Sequence, residues 1–186
     1  MTKNIMIDLE TMGQGPRSAI AAIGAVEFDP YGQDLGRTLY HRVDLRTSVA
    51  AGLVIDADTV IWWLKQSDAA RAELTSEDNV PLHYALADLR EMITGPDLDY
   101  DSTIVWANGA SFDFPILAEA YRAVGFRQPW KFFNERDWRT VRKIGPSVEF
   151  ERTGTHHNAL DDACHQALHL QRVMARLHQL DLAEAA

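Results

Sequence analysis

Cysteine is almost absent from this chain: Cys164 is the only one in 186 residues. A lone thiol excludes an intramolecular disulfide and fits a reducing compartment such as the cytoplasm. Long apolar runs are also missing. No stretch reaches about 18 residues, so no membrane-spanning helix and no membrane partner is expected. The first apolar stretch meets Asp8 almost at once, which is too short for the h-region of a signal peptide. Positive charge is scarce, with 18 Lys and Arg against 27 Asp and Glu and a net charge of −9. That deficit speaks at first against nucleic acid, since phosphate binding draws on Lys and Arg. Internal repeats, low-complexity blocks and long linkers are lacking too. A chain of this size, 46% hydrophobic and 24% charged, reads as a single globular domain over residues 1–186 with room for a substantial core.

What is present has a clear rhythm. Asn4 to Glu10 reads as a strand, with Ile5 and Ile7 on one face and Met6, Asp8 and Glu10 on the other. Thr11 to Ser18 holds Gly13, Gly15 and Pro16 and reads as a loop. Ala19 to Asp29 and Leu39 to Val43 are further strands, which together suggest an antiparallel meander. Asp58 can cap a helix over Thr59 to Gln66, and Pro81 can open another reaching Ile93. Thr103 to Ala107 reads as a buried strand. Ser111 can cap a helix that Gly125 stops, and a long helix is expected from about Ala159 to Leu180. Strands first and strand–helix alternation afterwards indicate a mixed α/β sandwich.

Four acids and a histidine carry the chemical signal. Asp8 and Glu10 project together from one strand face, and two carboxylates so close repel unless a cation sits between them. Asp113 falls in the first turn of a helix after a buried strand, where a helix-start acid is the plainer reading and a ligand position the sharper one. His157 precedes the last helix, whose first turn offers both Asp161 and Asp162. Periodicity does not choose between those two, and His156 is an adjacent decoy. Oxygen ligands of this kind suit hard divalent cations, and a histidine beside them can take a proton near neutral pH. The same acids soften the charge objection, because bound cations would offset them. Basic residues also cluster: Arg127, Lys131, Arg136, Arg139, Arg142 and Lys143 interleave with Trp130, Phe132, Phe133 and Trp138. That mixture suits a single strand through phosphate pairing and base stacking; the plainer reading is a solvated amphipathic helix and its approach loop.

In this order and context the residues resemble the DEDDh superfamily of 3′→5′ exonucleases, over nearly the whole chain. Asp8 and Glu10 match its acid–any–Glu motif and Asp113 its second aspartate. His157 with an aspartate five residues on matches the third motif, which selects Asp162. The stretches DLETMG, WWLKQS, NGASFD, RDWRT and HNALDDA are similar to a narrower group, the RNase AS-like exoribonuclease domain and the phage and prophage DexA-like exonucleases. The resemblance implies an RNase H-like (DnaQ-like) α/β fold, a mixed sheet with flanking helices. It implies two Mg²⁺ or Mn²⁺ ions held by Asp8, Glu10, Asp113 and Asp162, with His157 drawing a proton from the attacking water. The substrate would be the 3′ end of single-stranded RNA or DNA, with a slight lean to RNA, and the product a nucleoside 5′-monophosphate.

Further contacts follow from the same resemblance. The backbone at Thr11, Met12 and Gly13 would meet the terminal 3′-OH, with Met12 as a wedge against the last base; core filling is its plainer reading. In the helix of Trp62 and Trp63, a core stripe of Val60, Trp63 and Leu64 leaves Trp62 outward as a base platform or subunit contact. Phe112 could stack on a base, and Asn108 could reach a sugar. Homodimers are common among such enzymes, and Trp62 or the acidic tail would offer a contact. Two other readings stand beside the enzyme: a nucleic-acid-binding module on the same fold with its chemistry lost, and a metallophosphohydrolase acting on small phosphate esters.

Overall fold

Strand β1 (Asn4–Thr11) alternates as its sequence demands, and both its faces are covered. Ile5, Ile7 and Leu9 join one core, Met6 the other. In the computed structural model, which describes residues 2–184, β1 lies third in a five-stranded sheet of order β3-β2-β1-β4-β5. The outermost residues of the expected domain, Met1, Ala185 and Ala186, lie outside the described residues. Strands β2 (Ile20–Phe28) and β3 (Leu35–Arg42) continue from β1 as the antiparallel meander, while β4 (Ile104–Ala107) and β5 (Glu135–Asp137) run parallel to it. The result is the expected mixed α/β sheet with flanking helices.

Short helices α1 (Leu45–Ala50), α2 (Ala57–Leu64) and α3 (Asp68–Thr75) cross the region between β3 and α4 (Leu82–Thr94). Trp63 of α2, Ala70 of α3, the apolar stripe of α4 and that of α5 (Ala110–Ala123) cover the Ile5 face. Trp138 of α6 (Trp138–Ile144) and the Ala163–Ala167–Leu170–Val173 stripe of α7 (Ala159–Glu184) cover the Met6 face. These are the i, i+4, i+7 positions of a helix with one buried side. Among the described residues no helix is long and apolar enough to cross a membrane.

Several local expectations give way to better-placed groups. Asp56, not Asp58, caps α2 by accepting the Thr59 N–H. Gly109 at φ 125° precedes α5, so Ser111 lies inside the first turn instead of capping it. Strand β3 begins at Leu35, four residues before its expected start, because its pairing with β2 extends to Phe28↔Leu35. Helices α1 and α3 and the three-residue β5 are too short to show a period.

One contact sets the position of the longest helix. Gly24 of β2 pairs with Asp8 of β1. A Cβ at Gly24 would lie 2.1 Å from the carbonyl carbon of Ala159, the first residue of α7. Only the absent side chain lets α7 begin directly above the Asp8 row of the sheet.

Candidate active site

Three backbone devices bring the acids to one place. Strand parity aims Asp8 and Glu10 to the α7 side of the sheet. The parallel pairing of β1 and β4 puts the β4–α5 connection at the same end of the sheet, and with it Asp113. Asn158 caps α7 by accepting the Leu160 and Asp161 N–H groups at 3.1 Å each, which sets Asp162 in the first turn. Ligand oxygens of Asp8, Glu10 and Asp162 then lie within 4.8 Å of one another. Asp113 is not one of these three; it is buried, and after burial its charge is the next cause raising the pKa of Asp8 and of Glu10.

The electrostatics show how ill at ease these groups are without a counter-charge. Withdrawal from solvent, then repulsion from Asp113 and Glu10, raises Asp8 well above the usual carboxylate range. Burial followed by Asp113 pushes Glu10 up to about 8. Burial also raises Asp113 to about 7, against the Leu9 backbone, which stabilises its charged form. Hard oxygen donors packed this closely, each disfavoured as a lone anion, fit divalent cations such as Mg²⁺ or Mn²⁺.

Two neighbours escaped the sequence reading. Gln166 donates from Nε2 to Asp8 Oδ1 at 2.7 Å. It lies four residues after Asp162 on the same helical face, and that spacing was a usable signal. Arg152 ion-pairs with Asp162 and is the cation that opposes the raised pKa values of Asp8 and Glu10. It sits in the irregular strap 145–158, where no pattern marks it.

The decoys separate by what they touch. Asp161 accepts the Thr155 N–H at 2.7 Å and packs against Gly154, so it anchors the strap, while Asp162 faces the acids. His157 adopts φ 63°, a left-handed conformation uncommon outside glycine. Its ring meets Trp62 edge-on at 5.0 Å and Trp63 at 5.7 Å. Burial, then the neighbouring His156 and Arg152, depress its pKa, which leaves a neutral imidazole near pH 7. His156 is exposed.

Beside the acids lies a cleft of about 600 Å³ lined by Glu10, Thr11, Gly13, Trp62, Trp63 and Phe112, among others. Trp63 Nε1 donates to the Thr11 carbonyl at 2.9 Å and ties α2 to the end of β1. Trp62 is 43% exposed, as expected, but Leu64 is exposed too and does not join the core stripe. Met12 is 6% exposed and belongs to the core, so it does not wedge into the cleft. An irregularity in the β1–β2 register between Glu10 and Thr11 shifts the alternation just before it. Asn108 stands on the turn beside Arg139, outside the lining of the cleft, and its buried Oδ1 has no hydrogen-bond partner. Of the interleaved aromatics, Trp130 and Trp138 are core residues while Phe132 and Phe133 are exposed. A larger hollow of about 960 Å³ includes Asn4 and Trp106. It lies at the far end of β1, about 20 Å from Glu10 at ~3.3 Å per residue, and the acid cluster does not reach it.

Comparison with known proteins agrees with this fold. A family described as the 3′-5′ exoribonuclease Rv2179c-like domain matches residues 3–174. An exodeoxyribonuclease of Enterobacteria phage T4 is 29% identical, over 74% of this chain and 69% of the relative. Exonuclease I of E. coli in complex with a dT13 oligonucleotide superposes with a TM-score of 0.67 at 15% identity, covering 97% of this chain. A moderately thermophilic Exonuclease I from Methylocaldum szegediense superposes with a TM-score of 0.61 at 14% identity, covering 98% of this chain. The chain spans 42% of the length of each of those two structures, and at such identity the likeness speaks for the fold.

Proposed function

The chain belongs to the 3′-5′ exoribonuclease Rv2179c-like domain family, and we propose that it removes nucleotides from the 3′ end of single-stranded or short nucleic acid, with RNA slightly preferred. The observation that carries the reading is the convergence of Asp8, Glu10 and Asp162 within 4.8 Å beside a cleft walled by Trp62 and Phe112. Asp8, Glu10 and Asp162 would hold one divalent cation, and Asp8 with Asp113 a second. When bound, the two ions polarise phosphate oxygens and make water a better nucleophile near neutral pH.

The protein's own groups do the rest. Gln166 holds Asp8 in one orientation through its 2.7 Å hydrogen bond. His157, whose pKa burial, His156 and Arg152 all lower, takes a proton from the attacking water. Trp62 and Phe112 stack on the terminal base, and the backbone at Thr11 and Gly13 meets the terminal sugar. Water attack at the last phosphodiester breaks its bond to the preceding 3′ oxygen. That releases a nucleoside 5′-monophosphate and leaves a fresh 3′-OH in register for the next round.

A DNA substrate is the second reading, favoured by the phage T4 relative, which is named an exodeoxyribonuclease. Digestion of matched 5′-labelled RNA and DNA oligonucleotides with Mg²⁺ and Mn²⁺ tests both. The expected result is a ladder shortening from the 3′ end, faster on RNA. Internal cuts, or full turnover by an Asp8→Ala variant, would overturn the proposal.

A further inference from the structure

The basic stretch before and within α6 behaves unlike the rest of an acidic protein. Lys131 pairs with Asp101 at 3.3 Å, and Arg127 lies over the Tyr100 ring. Among the described residues, Arg136, Arg139, Arg142 and Lys143 have no ion-pair partner. Asp137, which stands among them, accepts the Ala110 and Thr140 N–H groups and feels the charge of Arg139 as well. On α6, Trp138 and Val141 turn to the core, which leaves Arg139, Arg142 and Lys143 at i, i+3 and i+4 on one outer face. Phe132 and Phe133 are 78% and 58% exposed and meet edge to face at 5.4 Å. Arg136 Nη1 donates to the Phe133 carbonyl at 2.8 Å, which ties the aromatic pair to this cation, and Arg136 also lines the hollow at the far end of β1.

The Arg139 end of the α6 face abuts the cleft. Phe112 lines the cleft, and its N–H donates to the Gly109 carbonyl at 2.7 Å. Arg139 Nη2 donates to the Asn108 carbonyl at 2.7 Å, and its guanidinium lies against the bare Cα of Gly109. A strand leaving the cleft past Phe112 therefore meets Arg139 first and the remainder of the α6 face next.

We propose that this face is a second binding surface for the same single-stranded polynucleotide, gripping it several nucleotides 5′ of the end in the cleft. The proposal rests on the exonuclease reading. Unpaired cations at helical spacing match successive phosphates, and exposed phenylalanines stack on any base without sequence preference. A second copy of the chain fits less well, because a two-fold contact would set these cations against themselves.

Fluorescence anisotropy with 5′-labelled single strands of twelve and three nucleotides tests it. Ca²⁺ replaces Mg²⁺, because it binds carboxylates in looser geometry. For R142A/K143A the salt slope for the twelve-mer should fall by about 1.4, from roughly 0.7 per lost contact. For F132A/F133A its affinity should weaken about tenfold. The three-mer should bind all variants as it binds the wild type. Unchanged twelve-mer binding, an equal loss at both lengths, or a wild-type dimer that F132A/F133A dissociates in sedimentation would each overturn the proposal. If F132A/F133A fails to fold, R142A/K143A alone decides. Wild-type protein that binds the twelve-mer with this length dependence but cuts nothing in Mn²⁺ counts against the exonuclease and supports the surface.

Discussion

At Glu10 a carboxylate is held where it ionises poorly, and that has a consequence for stability. Burial and Asp113 raise it from 4.5 to about 8, and Asp113 itself reaches about 7. From about pH 4.5 to about pH 8 the folded, metal-free protein keeps a proton at Glu10 that the unfolded chain has released. Stability therefore falls as pH rises through that window, and Asp113 adds to the fall up to about 7. Calorimetry in EDTA should show the melting temperature decreasing from about pH 5 to about pH 8, and Glu10→Gln should melt higher than wild type at the upper end while losing nearly all turnover. A flat profile would contradict the buried cluster. These acids were legible in the sequence because strand parity pairs Asp8 with Glu10. Asp161 and Asp162 were not separable from periodicity, since both flank the apolar stripe equally. What separates them is a tertiary contact, the Thr155 N–H that Asp161 accepts. Met12 takes the plainer of its two readings, core filling, for a related reason, a register irregularity at Glu10 and Thr11 that no composition announces.

Helix α7 delivers Asp162 and follows His157, and its seat depends on Gly24. Gly24→Ala would drive a methyl group into the Ala159 backbone, at a cost of roughly 1–3 kcal/mol. The melting temperature should drop by several degrees, at ~2–4 °C per kcal/mol for a chain of this size. Turnover should fall further than the loss of folded protein accounts for, because the helix start shifts away from Asp8. Gly15→Ala, where nothing lies within 4 Å of the new methyl, should change neither quantity. A Gly24→Ala variant with wild-type melting and turnover would sink this account. At this scale the sequence was readable where an element is long. β1, β2, α4, β4, α5 and α7 lie close to their expected spans, whereas β5 has three residues and takes its place only from β4. The helix starts went astray by two residues where competing caps were near: Asp56 for Asp58, Gly109 for Ser111.

Across the whole molecule, the site joins residues as distant as Asp8 and Asp162, so cation binding and global folding are linked. A divalent ion at about a hundred times its dissociation constant should add about 2.7 kcal/mol of stability. Thermal melting with Mn²⁺ should therefore shift upward by ~5–10 °C. EDTA should reverse the shift and Asp8→Asn, which removes a ligand common to both ions, should diminish it; an equal rise in Asp8→Asn would exclude these carboxylates as the binding site. The same span carries a consequence in time. Synthesis delivers β1 well before α7, so a nascent chain bears Asp8 and Glu10 long before Asp162 exists to join them. Asp162 can join Asp8 and Glu10 only once α7 has settled over Gly24, so the cluster closes in the order of the elements along the chain.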